Sequence, residues 1–250
     1  MSSDQKTILI TGATSGFGLA TARRLADQGH RLILLARRAD RLEEIKKSLS
    51  ADVHIGVVDV RDKQQVQAFF EALPANFRSI DVLVNNAGLA KGMEPAQDAH
   101  LEDWEQMVDV NIKGLLYILH ATLKIMKRQK SGLVINVGSV AAHIPYKGGN
   151  VYGATKAFVR QLSRNLRVDV FGTGIKVTNL EPGAAQTEFA AVRFDDKQKG
   201  QVFYEGWQPL TPENVADAIV WVINQPSHVN IENIEIMPLD QANGGLITNK

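Results

Sequence analysis

The feature that most limits how this chain can fold is a strand, a glycine-rich loop, a helix and a second strand in direct succession near the start of the sequence. Residues 7–10 form an apolar run, and the loop that follows carries Gly12, Gly16 and Gly18. Apolar residues then recur at helical spacing, and residues 31–36 form a second apolar run. Parallel strands joined by a helix need a right-handed crossover. The sequence therefore predicts an α/β fold built on a parallel sheet.

The glycine loop is typical of a phosphate-binding turn. Glycine lets the backbone turn tightly and approach a pyrophosphate, while the free amide groups at the start of the helix face its negative charge. The spacing differs from the Gly-x-Gly-x-x-Gly pattern of dinucleotide-binding proteins, so a plain strand-to-helix turn is the alternative interpretation. Three glycines within seven residues favour the nucleotide site.

Arg37 and Arg38 follow the second strand and indicate which dinucleotide binds. An acidic residue there would accept a hydrogen bond from the adenosine ribose of NAD, whereas cations suit the 2′-phosphate of NADP. The hydroxyl groups of Thr14 and Ser15 could add donors, so the sequence favours NADP. The alternative is that both arginines begin a solvated helix. Asp40, with a glutamate three residues later, has the spacing of a capping box, which would leave Arg37 freer to serve the cofactor.

Ser139, Tyr152 and Lys156 form the candidate catalytic group. Positions four apart lie on one face of a helix, so we expect the Lys156 ammonium beside the Tyr152 phenol. A nearby positive charge favours the phenolate and lowers the phenol pKa from its usual value near 10. Ser139 closely follows the apolar run 133–137, which predicts a buried strand that delivers a hydroxyl at its carboxyl end. Because this tyrosine–lysine spacing also occurs by chance in many helices, the assignment depends on the rest of the chain.

Further apolar runs complete the α/β pattern. Residues 53–58, 80–84, 175–180 and 231–237 predict four more strands, with helical patterns between them. Asp62 and the sequence Thr211-Pro212-Glu213 predict the starts of two of those helices. We expect residues 184–209, which are polar and lack a regular pattern, to form an irregular lid over the active site, because a long insertion in a compact domain is usually functional.

Polar residues also lie where a cofactor or substrate would be. Asp59 follows the third strand and is placed to contact an adenine, and residues 85–88 follow the fourth strand with side chains small enough for close backbone approach. Asn111 lies in the helical region 104–128, where asparagine is a poor helix former with side-chain hydrogen bonds to spare. The alternative for Asn111 is a tolerated position on the surface.

Composition and charge exclude several classes of protein. With 250 residues, 44% hydrophobic and 22% charged, the chain is predicted to form one globular domain over residues 1–250. A formal net charge of +1 without a long basic run argues against a nucleic-acid or membrane partner. The absence of cysteine excludes disulfides and thiol chemistry and suits the cytoplasm. We expect no signal peptide and no membrane span.

In combination, these motifs resemble the short-chain dehydrogenase/reductase family over nearly the whole chain. The resemblance is carried in order by Thr11-Gly12-x-x-x-Gly16-x-Gly18, Asn85-Asn-Ala-Gly88, Asn111, Ser139, Tyr152-x-x-x-Lys156 and Pro182-Gly183. It implies a Rossmann-type, doubly wound sheet of seven parallel strands with helices on both faces, assembled as a homotetramer. It also implies that Tyr152 gives and takes the proton, Ser139 orients the substrate oxygen, Lys156 binds ribose and lowers the phenol pKa, and Asn111 supports a water-linked proton relay.

The cofactor site implied by the resemblance takes NADP and needs no metal. Its predicted residues are Gly12, Thr14, Ser15, Gly16, Phe17, Gly18, Arg37, Arg38, Asp59, Val60, Asn86, Ala87, Gly88, Tyr152, Lys156, Pro182, Gly183 and Thr187.

The segments 88–95, 146–160 and 181–194 are similar to a bacterial group within that family, the NADP-dependent 3-hydroxy acid dehydrogenases acting on serine and L-allo-threonine. This similarity implies a small hydroxy acid as substrate, held through Ser139 and Tyr152. A buried carboxylate needs a cation, for which Arg193 is the first candidate and Lys147 the second, although either could be a solvated surface charge. A reductase of another ketone or aldehyde is the alternative, and a nucleotide-binding regulator without activity is a second one.

Overall fold

The computed structural model describes residues 5–242 and 247–248, and its centre is a seven-stranded sheet. The strands are β1 (Thr7–Thr11), β2 (Arg31–Ala36), β3 (Val53–Val57), β4 (Val82–Asn85), β5 (Gly132–Val137), β6 (Ile175–Pro182) and β7 (Asn233–Ile236). A separate antiparallel ribbon pairs β8 (Gln241–Ala242) with β9 (Ile247–Thr248). The helices are α1 (Gly16–Asp27), α2 (Ala39–Ser48), α3 (Lys63–Glu71), α4 (Leu101–Val108), α5 (Leu115–Gln129), α6 (Asn150–Asp169), α7 (Glu188–Phe194), α8 (Lys197–Val202) and α9 (Pro212–Ile223).

All neighbouring strands of the sheet run parallel, in the order β3-β2-β1-β4-β5-β6-β7. This confirms the predicted doubly wound, Rossmann-type α/β fold with seven parallel strands. Within the described residues, no helix combines the length and the apolar character needed to cross a membrane.

Helices cover both faces of the sheet, because successive side chains of a strand point to opposite faces. Leu9 of β1 packs in one apolar layer with Val159 of α6, whereas its neighbours Ile8 and Ile10 pack in the opposite layer with Leu25 of α1. A strand that is buried on both faces appears in the sequence as a continuous apolar run, so such strands can be predicted from the sequence.

Helix starts agree with the sequence at two predicted positions. The Asp62 carboxylate accepts hydrogen bonds from the backbone amides of Gln64 and Gln65 and caps α3. Thr211 caps α9 in a capping box, with Pro212 at the first helical position.

The start of α2 corrects a prediction. Arg38 occupies the position before the helix without making a side-chain cap, and Asp40 already lies inside the first turn. A residue with helical backbone cannot be the cap, so Asp40 contributes only its charge near the helix N-terminus. The capping argument for a freer Arg37 is therefore wrong.

The segment 184–209 also differs from its prediction. It was expected to be irregular, but it contains α7 and α8. Both helices begin with a polar cap, since Thr187 accepts from the amide of Phe189 and Asp196 accepts from the amides of Gln198 and Lys199. The polar residues that suggested a loop include these caps.

Candidate active site

A cleft of about 390 Å³ opens at the carboxyl ends of the central strands. From β1 the chain moves outward through β2 and β3 and then returns to β4 on the other side of β1. Open α/β sheets bind ligands at such a switch point. The cleft is lined by most of the predicted site residues, namely Gly12, Thr14, Ser15, Gly16, Phe17, Arg37, Arg38, Asp59, Val60, Asn86, Ala87, Gly88, Ser139, Tyr152, Lys156, Pro182, Gly183, Thr187 and Arg193. Gly18, Asn111 and Lys147 lie outside its lining.

The glycine loop has a backbone that side chains would obstruct. Gly12 and Gly16 have φ of +66° and +49°, the left-handed region that favours glycine. A Cβ added at Gly18 would lie 2.5 Å from the carbonyl oxygen of Gly12 and 2.8 Å from Nδ2 of Asn86. Asn86 in turn donates from Nδ2 to the carbonyl of Thr11 at 2.8 Å. The lack of a side chain at Gly18 and the hydrogen bond from Asn86 let the loop pack tightly at the start of α1, which is the shape that a phosphate-binding turn needs.

Arg38 is the arginine that the fold fixes beside the glycine loop. Its Nε and Nη2 donate to Oγ1 of Thr14 at 3.1 and 2.8 Å. Its Nη1 donates to Glu188 at 3.0 Å, and Arg41 donates to the other oxygen of Glu188 at 2.7 Å. Arg37 is exposed and also lines the cleft. This cationic group beside a hydroxyl fits the 2′-phosphate of NADP.

Asp59 lies in the cleft but is held by a neighbour. Arg61 donates to both of its carboxylate oxygens, with Nη2 at 2.6 Å from Oδ2. The hydrogen bond from Arg61 holds the Asp59 pKa below its usual range, against the opposing effect of burial. Asp59 is therefore a fixed acceptor at the place predicted for an adenine.

Tyr152, Lys156 and Ser139 all line the cleft, and Lys156 lies beside Tyr152 as their spacing predicts. Tyr152 is buried, and its ring packs edge-on against Phe189 with centroids 5.5 Å apart. The Nζ of Lys156 lies 5.9 Å from the Tyr152 ring centroid and donates to the carbonyl of Val137 at 2.8 Å. Ser139 follows β5, and its hydroxyl accepts from the amide of Ala141.

Burial perturbs both titratable groups of this cluster. It raises the pKa of the Tyr152 phenol, and the Ser139 hydroxyl and the Arg193 cation only partly oppose it. Burial also lowers the pKa of Lys156 to about 8. Burial dominates the pKa of the Tyr152 phenol in this arrangement, in which the Lys156 ammonium is directed to the carbonyl of Val137. That Lys156 lowers the phenol pKa stays a prediction.

Asn111 is a buried structural link between segments that border the cleft. It lies in a π-helical turn, Asp109–Gly114, that joins α4 to α5. Its Oδ1 accepts from the amide of Leu89 at 2.9 Å, and its Nδ2 donates to the carbonyl of Leu89 and to Thr155. These bonds contradict the surface alternative. Single π turns in helices are frequent at functional sites.

Arg193 brings a second cation next to the phenol. Its Cζ lies 5.7 Å from the Tyr152 ring centroid and 5.3 Å from that of Tyr146. Its Nε donates to the carbonyl of Gly92, its Nη1 to the Tyr146 hydroxyl and its Nη2 to the carbonyl of Gly148, all at 2.9–3.0 Å. Three of its five N–H groups are used within the described residues, and Arg193 also lines the cleft. The second candidate, Lys147, is exposed.

Several residues of this site were not given roles by the sequence. Glu188 and Arg41 join the cation group, Tyr146 holds Arg193, and Gln241 lines the cleft and accepts from the amide of Ala184 at 2.8 Å. The Thr187-Glu188 pair before an apolar run indicates the start of a helix. No sequence pattern indicates that Glu188 pairs with Arg38 and Arg41, which lie 150 and 147 residues earlier in the chain.

Comparison with known proteins agrees with this geometry. The profile of the short chain dehydrogenase family matches residues 6–198. The chain belongs to the short chain dehydrogenase family. It is thus an oxidoreductase whose family members act on hydroxyl or carbonyl groups, as the motif set predicted.

Three relatives of the family span almost all of the chain. The NADP-dependent 3-hydroxy acid dehydrogenase YdfG of Salmonella typhi is 50% identical over 242 residues, which are 96% of this chain and 97% of that protein. Serine 3-dehydrogenase of Agrobacterium fabrum is 50% identical over 240 residues, 96% of each chain. The closed form of serine dehydrogenase complexed with NADP⁺ superimposes with a TM-score of 0.94 at 48% identity, covering 98% of this chain and 99% of that one.

Proposed function

We propose that this protein transfers a hydride between NADP(H) and a small 3-hydroxy acid of the serine, L-allo-threonine or 3-hydroxypropionate type. The observation that carries the substrate assignment is the buried Arg193 guanidinium, 5.7 Å from the ring of Tyr152. A carboxylate bound there would lie a short distance from a hydroxyl presented to the phenol. The two relatives named for 3-hydroxy acids and for serine support the same substrate class.

Arg38 and its surroundings support NADP as the cofactor. A guanidinium fixed by Thr14, with Arg37 and Arg41 close in sequence, provides the cations that a 2′-phosphate requires. The glycine loop provides the amide groups and the close approach that a pyrophosphate requires. The related YdfG protein is named NADP-dependent, and the related serine dehydrogenase was solved with NADP⁺.

Tyr152 and Ser139 carry the proton chemistry in this proposal. The nicotinamide ring supplies a hydride acceptor at C4 in oxidation and a hydride donor in reduction. In oxidation the Tyr152 phenolate, which the nearby Arg193 and Lys156 cations would stabilise, takes the proton of the substrate hydroxyl as the carbon-bound hydrogen leaves with its electron pair, and the Ser139 hydroxyl holds the reacting oxygen. In reduction the phenol returns the proton to the same oxygen.

Lys156 and Asn111 support that proton transfer. Lys156 would bind the nicotinamide ribose, and its ammonium would hold the phenol and the ribose in one hydrogen-bonded group. Asn111 would hold the end of a water-linked relay that returns the proton to solvent. Both residues are buried, and a Cβ placed at Gly88 would lie 3.3 Å from Oδ1 of Asn111 and 3.4 Å from Nζ of Lys156, so the two groups border one space.

A second candidate is the reduction of another small ketone or aldehyde. The side chains of Phe189, Phe194 and Phe203 line the cleft together with Tyr204. This aromatic wall suits an apolar substituent on the substrate carbonyl. A kinetic comparison of hydroxy acids with uncharged analogues separates the two candidates.

The family resemblance supports further proposals about the whole protein. We propose a cytoplasmic homotetramer of single-domain subunits that span residues 1–250, with no nucleic-acid or membrane partner. Residues 184–209 act as a lid, supported by the packing of α7 against Tyr152 through Phe189. Light scattering coupled to size exclusion measures the assembly, and a mass of two subunits would contradict the tetramer.

The test of the function is a spectrophotometric assay of the purified protein with L-serine. We expect formation of reduced nicotinamide with NADP⁺, little with NAD⁺, and none with the Tyr152→Phe variant. No reaction with L-serine, together with oxidation of NADPH by simple carbonyl compounds, would contradict the proposed substrate but not the enzyme class. No reaction with any substrate would favour a nucleotide-binding regulator.

A further inference from the structure

Glu188, the first residue of α7, connects Arg38 of the proposed cofactor site with Arg41 of α2. One carboxylate oxygen accepts from Nη1 of Arg38 at 3.0 Å, and the other accepts from Nη1 of Arg41 at 2.7 Å. Glu188 itself lines the cleft. A single carboxylate therefore neutralises part of the positive charge that a 2′-phosphate would use.

The donors of Arg38 leave little freedom in how an anion can approach it. A guanidinium has five N–H groups in a rigid fork. The edge formed by Nε and Nη2 is directed at Oγ1 of Thr14, and Nη1 is directed at Glu188. The two remaining N–H groups of Arg38 are on Nη1 and Nη2, so a phosphate that bonds Arg38 lies next to the Glu188 carboxylate, which already accepts from Nη1.

The negative charge of Glu188 makes this carboxylate compete with a phosphate for Arg38. Burial tends to raise the pKa of Glu188, but hydrogen bonds from Arg41 and Arg38 outweigh it and hold the pKa below its usual range. Glu188 is thus an anion at neutral pH. A phosphate monoester carries about −1.5 to −2 charges at that pH, so the two anions repel one another beside Arg38.

The strength of the present ion pairs permits exchange. The side chains of Arg38, Arg41 and Glu188 are between 41% and 47% exposed. Ion pairs with that exposure contribute roughly 0–1 kcal/mol each, because water screens them. A dianion can therefore displace a monovalent carboxylate from Arg38.

We propose that Glu188 is an internal competitor of the NADP 2′-phosphate and so sets how strongly the protein prefers NADP(H) over NAD(H). This inference rests on the proposed cofactor. Removing the carboxylate leaves Arg38 and Arg41 free for the phosphate and strengthens binding of phosphate-bearing ligands alone. Glu188 is a specificity-determining residue, and it takes no part in proton or hydride transfer.

The test uses the adenosine half of the cofactor, which separates phosphate recognition from the chemistry at Tyr152. Isothermal titration calorimetry measures the Kd of adenosine 2′,5′-bisphosphate and of adenosine 5′-monophosphate for the wild type and for Glu188→Gln. We expect the variant to bind the bisphosphate about fivefold more tightly, the factor that corresponds to one exposed ion pair of about 1 kcal/mol. The Kd of the monophosphate stays unchanged.

Two further variants keep the interpretation specific. Glu43→Gln removes one negative charge from an exposed position on α2 and serves as the charge-matched control, which should leave both Kd values unchanged. In the Arg38→Ala background, Glu188→Gln should lose most of its effect, because the shared donor is absent.

The outcomes separate this inference from the proposed function. If the wild type binds the bisphosphate no more tightly than the monophosphate, the NADP assignment fails and the competitor role fails with it. If the wild type prefers the bisphosphate but Glu188→Gln binds it equally or more weakly, the cofactor stands and only the competitor role is overturned.

Discussion

Lys156 carries an ammonium group in a place from which water is largely excluded. Its exposure is 6%, and burial lowers its pKa from the ordinary value of 10.5 to about 8. Between these two values the unfolded chain holds a proton that the folded chain has released. The ionisation of Lys156 therefore makes the free energy of unfolding of the wild type rise with pH between about 8 and 10.5.

The variant Lys156→Met tests this linkage. The difference in unfolding free energy, variant minus wild type, should fall by about 2 kcal/mol as the pH rises from 8 to 10, because only the wild type gains from the released proton. Urea unfolding at pH 7.5, 8, 9 and 10 measures it. A difference that stays constant over this range would show that the amine is not destabilised by burial.

In the proposed function, Arg193 is the residue that binds the substrate carboxylate. Arg193→Met removes the cation near Tyr152, and we expect the KM for L-serine to rise about tenfold or more, since a hydrogen bond to a charged group contributes about 1.5–3 kcal/mol. Steady-state kinetics with an uncharged primary alcohol as a second substrate separates carboxylate binding from damage to the lid. Lys147→Met is the matched control and should behave as the wild type. An equal rise in KM for both substrates would contradict the carboxylate role.

At the scale of secondary-structure elements, helix starts show what local sequence can and cannot predict. Asp62 caps α3 through two backbone amides, as predicted. Asp40 has a similar sequence context, but α2 begins before it. The difference arises because the chain leaves β2 at Ala36 and turns into a helix within two residues, held by Arg38 against Thr14.

These two aspartates make a paired prediction. Asp62→Ala should reduce the free energy of unfolding by about 1 kcal/mol, because two amides at the start of α3 lose their acceptor. Asp40→Ala should cost only a few tenths of a kcal/mol, the usual size of a charge effect at a helix N-terminus. Chemical denaturation of both variants measures the difference. Equal losses would mean that Asp40 does cap α2.

For the molecule as a whole, the sheet and the positions of the glycine loop, Ser139 and Tyr152 were predictable because they depend on local runs and spacings. The contacts that complete the site depend on distant parts of the chain. Arg193 donates to the carbonyl of Gly92, 101 residues earlier. The buried Asn111 side chain accepts from the amide of Leu89 and donates to the hydroxyl of Thr155. Such pairings exist only after the fold has brought the segments together, so no local pattern reveals them.

Binding of the cofactor should stabilise the whole protein. A ligand present at about 100 times its Kd adds about 2.7 kcal/mol to the stability of the folded state, which corresponds to a rise in Tm of about 5–10 °C for a chain of this size. Scanning calorimetry should show this rise with NADP⁺ and a much smaller one with NAD⁺ at equal concentration. The Arg38→Ala variant should lose the difference. Equal shifts with both nucleotides in the wild type would contradict recognition of the 2′-phosphate.

In the proposed reaction, the hydrogen on C3 of a hydroxy acid passes directly to NADP⁺ in the cleft beside Tyr152. The measurement uses L-serine with two deuterium atoms at C3, unlabelled NADP⁺ and ordinary water, with mass spectrometry of the reduced cofactor. Direct hydride transfer should give one deuterium in each molecule of NADPH formed, and no NADPH from Tyr152→Phe. Unlabelled NADPH, with the deuterium found in water, would contradict direct hydride transfer at this site.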